Sequence, residues 1–272
     1  MREALVLFAI LLRSFLMKKL TTALLVAAAL TTAVSADGGS NGGFYLGANA
    51  GVANTNVKYN FVSVSPAAGG ATQNYNNTSG KMAGLFGIFA GYGMVLGQGA
   101  YVGGEVYGGL DTTKVTPYDD SGSTINGYHK TTVKRTNFYG LAARVGFMVT
   151  PSTLAYIRLG VEAGKWTTQV TPNAAAITAN PLAGASAANV ASNAVAVSKT
   201  KNSINFAPGL GMEVSVNKNL FLRAEYSYLF GPSITAVQNT QYVAQGYING
   251  SSLNHTAKIS QHAFKIGVGY KF

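Results

Sequence analysis

Cysteine is absent from the 272 residues. That excludes disulfides and Cys/His metal sites, and it is compatible with an exported, oxidising compartment in which no disulfide is used. Acidic residues are scarce, nine Asp+Glu against twenty Lys+Arg, and charged residues of every kind make up only 11% of the chain. Soluble domains average about 25%. Downstream of residue 36 no apolar run reaches the ~20 residues of a membrane-spanning helix, and no segment sustains a 3.6-residue period. Nucleophile elbow, HExxH and P-loop motifs are all missing, which removes the common signatures of hydrolase, metalloprotease and nucleotide chemistry. What is abundant is glycine (33), with 15 tyrosines and 13 phenylalanines. Few charges with many glycines and aromatics suit a membrane β-barrel better than a soluble enzyme.

The start of the chain has the grammar of export. Met17-Lys18-Lys19 is a short basic segment, Leu20 to Leu30 is apolar, and Val34-Ser35-Ala36 supplies small residues for cleavage before Asp37. The expected division is a signal peptide with an upstream extension over 1–36, a short periplasmic leader over 37–42 and a barrel over 43–272. Translation is expected to begin at Met17. Loss of Arg2, Arg13, Lys18, Lys19 and Glu3 on processing lowers the formal charge from +11 to +8.

Eight segments alternate with period two: about 44–61, 81–95, 100–113, 131–149, 154–168, 203–216, 220–230 and the carboxy-terminal run 264–272. In the last, Phe264, Ile266, Val268, Tyr270 and Phe272 share one face, and Lys265, Gly267, Gly269 and Lys271 share the other. An apolar face opposite small or polar residues fits a barrel with lipid outside and a narrow interior. Tight connectors (Leu96–Gly99, Thr150–Thr153, Asn217–Asn219) alternate with long ones (about 62–80, 114–130, 169–202 and 231–258). Strict alternation of short and long connectors predicts an all-β, eight-stranded antiparallel up-and-down transmembrane β-barrel, with four long outer loops and three short periplasmic turns. The low-complexity stretch 174–198 reads as a loop, with a short helix as its alternative.

The second face of these segments carries Glu105, Arg144, Arg158, Glu162, Glu213, Arg223, Glu225 and Lys265. Lipid exposure would cost about 2–4 kcal/mol per charge near the midplane, so the pattern predicts ion pairs inside the barrel. A narrow charge-lined conduction path is the sharper alternative. Lys58, Lys81, Lys114, Lys130, Lys134, Arg135, Lys199, Lys201 and Lys258 are assigned to the outer rim, opposed there by Asp111, Asp119 and Asp120. A basic rim suits lipopolysaccharide phosphates, anionic glycans or acidic proteins, and an ordinary solvated surface equally well. No nucleic-acid partner is expected, since no stacking motif accompanies the bases. Phe44, Tyr59, Phe61, Tyr101, Phe138, Phe221, Tyr228, Phe230 and Phe272 are expected in interfacial girdles. His129, His255 and His262, with Asp119 and Asp120 nearby, form no catalytic spacing and read as exposed loop residues; neither enzyme activity nor a cofactor is expected.

The order of Gly43-Phe-Tyr-Leu-Gly-Ala-Asn-Ala-Gly51, Phe89-Ala-Gly-Tyr-Gly93, Gly103-Gly-Glu-Val106 and Lys265-Ile-Gly-Val-Gly-Tyr-Lys-Phe272 resembles the small outer-membrane β-barrel proteins of Gram-negative bacteria. This is the OmpA-transmembrane-domain-like and opacity-protein-like group. The resemblance implies residence in the bacterial outer membrane with both termini periplasmic. It also implies a carboxy-terminal signal for the barrel-assembly machinery carried by Phe264, Ile266, Val268, Tyr270 and Phe272. The expected function is that of a structural or adhesin-like surface protein contacting host molecules, lipopolysaccharide or neighbouring proteins. A small porin-like channel is the main alternative, and a soluble lipocalin-like barrel the third.

Overall fold

A computed structural model describes residues 42–65, 71–119, 129–172, 196–244 and 247–272. The expected signal peptide and leader, and the stretch 174–198, lie outside them apart from Gly42 and residues 196–198. Ten strands follow in order: β1 (Gly43–Ser65), β2 (Ala71–Leu96), β3 (Ala100–Asp111), β4 (Lys114–Asp119), β5 (His129–Thr150), β6 (Thr153–Pro172), β7 (Val197–Ser215), β8 (Leu220–Leu229), β9 (Ser233–Ala244) and β10 (Tyr247–Lys271). Each strand of the ring β1-β2-β3-β5-β6-β7-β8-β10 pairs antiparallel with the next, and β10 returns to β1. That seam runs from Tyr45↔Lys271 to Val64↔Ser252. β4 continues the line of β3 along β5, and β9 that of β8 along β10. The result is the eight-stave antiparallel barrel that the alternation predicts.

The tight turns follow from local chemistry. Gly97 and Gly99 adopt φ of 47° and 99°, a region that side chains disfavour, and Gly99 N–H donates back to Leu96 O at 3.2 Å. The Asn217 carboxamide oxygen accepts from Asn219 N at 2.9 Å and Leu220 N at 2.7 Å, the Asx mimicry that suits Asn to turns.

Two radial patterns are stacked along the barrel. In the lower part, large apolar side chains face outward: Leu46, Phe86, Ile88, Val106, Leu141, Ile157, Leu210, Leu222 and Ile266 are all exposed. Their inward neighbours are charged or small. Five to six outward positions per strand, at about 3.3 Å per residue and a tilt near 45°, give a belt of roughly 25 Å, the height of an outer-membrane apolar band. Above the belt the pattern inverts. On β1 the outward Asn54, Asn56, Lys58 and Asn60 alternate with buried Thr55, Val57, Tyr59 and Phe61. This is the arrangement of a barrel standing in water.

The inversion corrects several expectations. Stretches read as long loops are largely strand: β1 and β2 stay paired to Ser65↔Ala71, and β9 and β10 to Ala244↔Tyr247. Backbone ladders do not require apolar outward side chains, so a search for an apolar face stops too early. Tyr59, Phe61, Tyr101, Phe138 and Phe221 are buried in the lumen and belong to no girdle, whereas Phe230 and Phe272 face outward. His255 is fully buried and shares a 2.6 Å hydrogen bond with the Tyr59 hydroxyl, so it is not an exposed loop residue. His262 does face outward, beside Tyr226, and the His129 side chain lies outside the described residues.

Inward glycines seat aromatic rings from neighbouring staves. A Cβ added at Gly211 would overlap the Tyr156 ring, and one at Gly91 the Tyr45 ring, whereas one at the outward Gly104 would meet nothing within 4 Å. Gly211→Val is therefore expected to destabilise the barrel by about 1–3 kcal/mol through overpacking, and Gly104→Val to leave it nearly unchanged. Urea unfolding in lipid vesicles would read the difference; equal effects would refute the seating role.

Candidate functional site

The lumen is built in layers. In the lowest, Tyr101, Leu154 and Tyr156 form an apolar cluster near the short turns. Above it, four charges from four staves meet. Arg223 donates to Glu105 at 2.6 Å and to Glu213 at 2.8 Å. Arg144 reaches the same Glu213 at 2.5 Å and lies 3.7 Å from Glu105. Each carboxylate is thus shared between two guanidinium groups. Tyr45 hydroxyl accepts from Arg144 at 3.0 Å and donates to Glu105 at 3.2 Å. The Arg144 guanidinium lies 3.8 Å from the centre of the Tyr156 ring, and that of Arg223 lies 3.9 Å from Phe89, so faces not hydrogen-bonded are covered by cation–π contact.

The next layer centres on Glu225, which accepts from Lys265 at 2.8 Å and from the Tyr156 hydroxyl at 3.0 Å, with Arg158 at 3.7 Å. Arg158 stacks on Tyr107 at 4.1 Å. A third layer joins Arg135 to Glu162, to Gln261 at 2.8 Å and to Asp111 at 3.4 Å. Gln261 in turn donates to Asp111 at 2.9 Å and to Thr55 at 2.8 Å. All eight charges that the sequence assigns to the interior therefore make ion pairs, and two more join them. Arg135 and Asp111 had been assigned to the rim; both are buried.

For Arg135 the reason is a β-bulge. The register of β5 against β6 shifts between Arg135 and Phe138, so both point inward although they are three residues apart. An extra residue in one strand breaks the period-two count. Lys271 is also buried inside, 5.0 Å from the Phe221 ring. The only available signal for it was its parity with Lys265.

Above the ionic layers lies an apolar one: Val57, Val115, Val133, Trp166, Ala207, Leu229, Ile234, Ala257 and Ile259. Trp166, the largest fully buried side chain, lies 5.0 Å from the Arg135 guanidinium. A cavity of about 10 Å³ between Arg135, Glu162, Gln261, Lys265 and the flanking Leu85 and Phe138 has room for a single water. Higher still, Thr131 donates to the Tyr59 hydroxyl at 3.2 Å, and burial raises the Tyr59 phenol above its ordinary pKa. Chemically, these layers neutralise charge and exclude solvent. Among the described residues no group of three or more His, Cys, Asp or Glu side chains could hold a metal ion.

Every glutamate of the region 43–272 is spent inside, and the outer rim is left basic. Lys58, Lys81, Lys114, Lys199, Lys201 and Lys258 are exposed and Lys134 is half-buried. Lys130 pairs with Asp119 at 2.5 Å. The Asp120 side chain lies outside the described residues.

A family model described as outer membrane protein beta-barrel domain matches residues 22–272. No curated protein matches the chain. Among solved structures, the chain is similar to the attachment invasion locus protein Ail of Yersinia pestis at 13% identity, covering 85% of this chain and 99% of that one, with a TM-score of 0.37. Neisserial surface protein A is similar at 14% identity, with 84% and 97% covered and a TM-score of 0.37. OprG of Pseudomonas aeruginosa is similar at 14%, with 86% and 98% covered and a TM-score of 0.48.

Proposed function

Because this chain belongs to the outer membrane protein β-barrel family and is integral to the outer membrane, we propose that it is a closed structural or adhesin-like surface barrel. In this reading its outer hairpins contact host molecules, lipopolysaccharide or neighbouring proteins. The short turns and both termini face the periplasm, and the polar, inverted part of the wall stands outside the cell. It performs no catalysis.

The observation that supports the reading is the filled lumen. Three ionic layers and an apolar layer around Trp166 occupy the space a solute would need. A wide aqueous channel keeps its charges apart and wet; here each interior carboxylate is within 4 Å of an arginine or lysine.

Planar-bilayer recording of the refolded full chain tests this against the porin-like alternative. The expected result is no stable conductance step. Reproducible steps, altered by Glu105→Ala or Arg158→Ala, would establish a channel and overturn the closed-barrel reading. Bacteria displaying the chain are expected to adhere to host cells better than an isogenic strain without it.

A further inference from the structure

Above the apolar belt the ring is not closed by backbone on every side. β7 pairs with β6 along almost its whole length, from Thr153↔Val214 to Val170↔Val197, but with β8 only from Gly209↔Ser227 to Ser215↔Phe221. β9 pairs with β10 alone. Residues 197–208 of β7 therefore present one edge to β9 without a ladder. Among the described residues a single backbone bond bridges this seam, from Phe230 N–H to Phe206 O at 3.0 Å, at its foot. Backbone groups that point to one edge recur every second residue. Pro208 is thus where the next N–H toward β8 is needed, and proline has none. Counting the other way, Ile204, Asn202, Thr200 and Ser198 turn both N–H and C=O into the seam. The gap between β2 and β4 differs: there the Asn77 carboxamide donates to Pro117 O at 2.7 Å, and Tyr75 and Tyr118 meet edge-on at 4.9 Å.

The side chains at the seam identify what it takes. Lys201 is directly opposite Trp166, and Lys199 opposite Thr168. Opposed residues share a face, and Trp166 and Thr168 are fully buried in the lumen, so both lysines lie on the inward side of β7. Both are nevertheless exposed, because the wall beside them is open. Lys201 donates to Ser233 O of β9 at 3.0 Å, standing in for a strand N–H. Lys199 has no partner among the described residues. The Trp166 indole N–H and the Thr168 hydroxyl also lack one although both are buried, and buried donors are normally satisfied. Three of the four donor groups on these two ladder rows are thus without an acceptor. Residues 197–208 and the whole of β9 contain no acid. A second copy of the same edge would set lysine against lysine, a charge pattern that keeps strand edges from self-pairing. An acidic strand meets no such barrier.

We infer that this seam takes an extended acidic segment of a partner protein as an added strand, hydrogen-bonded to the free edge of β7. The inference rests on the surface-barrel reading, with the upper wall outside the cell, and names the chemistry of the partner. Side chains of an added strand alternate between its faces, so its carboxylates fall at every second position. One lies opposite Lys199 and the next opposite Lys201, turned toward the Thr168 hydroxyl and the Trp166 indole N–H. The intervening residues face outward in line with Thr200 and Asn202, and are polar like them.

Refolded full-length protein in neutral detergent would be titrated with a fluorescein-labelled peptide of alternating Glu and Thr, read by anisotropy. Unlabelled peptide would be followed through the emission of Trp166, the one tryptophan of the chain. The expected result is saturable binding with a matching change in Trp166 emission. Lys199→Glu/Lys201→Glu should weaken it by roughly a hundredfold, because like charges then face each other. Lys58→Glu/Lys258→Glu should leave it nearly unchanged. A peptide of the same composition with its Glu residues in one block should bind about tenfold more weakly, since a block splits its carboxylates between both faces. Backbone N-methylation of the alternating peptide should weaken it likewise. Equal binding of the blocked or N-methylated peptide would reduce the seam to bulk charge and overturn the added strand. No binding, binding unchanged by the double charge reversal at β7, or binding that leaves Trp166 emission unchanged would overturn the site. Sedimentation showing dimers without peptide, altered by the same charge reversal, would make a second copy the occupant and overturn the proposal. If the peptide does not bind while planar bilayers stay silent, the added-strand proposal fails and the closed-barrel reading stands; conductance steps with peptide binding intact give the reverse.

Discussion

Arg144→Ala is expected to lower the unfolding free energy by about 3–5 kcal/mol, measured by urea unfolding in lipid vesicles. Arg144 is fully buried and touches two carboxylates, the Tyr45 hydroxyl and the Tyr156 ring. Its removal leaves Arg223 to bridge both Glu105 and Glu213, so part of a buried negative charge loses its compensation. Lysine at this position should recover little. A single ammonium cannot present the fork that bridges both carboxylates while stacking on a ring. A loss below about 1 kcal/mol would mean that water enters the layer and screens it, against the packed lumen described above.

Deleting Phe272 is expected to keep most of the protein out of the outer membrane in cells while leaving export past the inner membrane intact. The same truncated chain is expected to refold in detergent with nearly normal stability. The two halves of this prediction are separable because Phe272 is 72% exposed. Its ring packs only edge-on against Tyr270, 5.2 Å away, and its backbone N–H donates to Phe44 O at 2.9 Å. Little folding energy resides in that side chain. A large defect in cells therefore reports recognition by assembly factors that read the outward row Phe264, Ile266, Val268, Tyr270 and Phe272. Normal surface levels would refute the signal, and an equally large defect in detergent would reassign it to stability.

The legible part of this fold is the part that lipid dictates. Phe86, Ile88, Leu141, Ile157 and Ile266 had to be apolar because nothing but hydrocarbon meets them, so they marked the staves without ambiguity. The charges opposite could then only be inward. Where the wall leaves the membrane that constraint ends. Over 54–61 the period of two persists with polarity exchanged between the faces, the buried half now being Val57, Tyr59 and Phe61; beyond Phe61 the stretch 62–80 read as loop, although β1 and β2 stay paired there. Arg135 was misplaced for a related reason, since it sits beside a bulge; Asp111 keeps the inward parity of Glu105 and was misplaced only because β3 ends on it.

The seam between β1 and β10 has a consequence for how the molecule is made. Tyr45 finds its partner in Lys271 and Leu46 in Tyr270, so the earliest described strand in the chain waits for the latest. No N-terminal portion can close on itself, and the usual gain from folding during synthesis is unavailable. Until release, β1 carries an unpaired edge with Leu46 and Val52 beside it, the kind of strand that captures stray chains. Such high contact order makes closure slow.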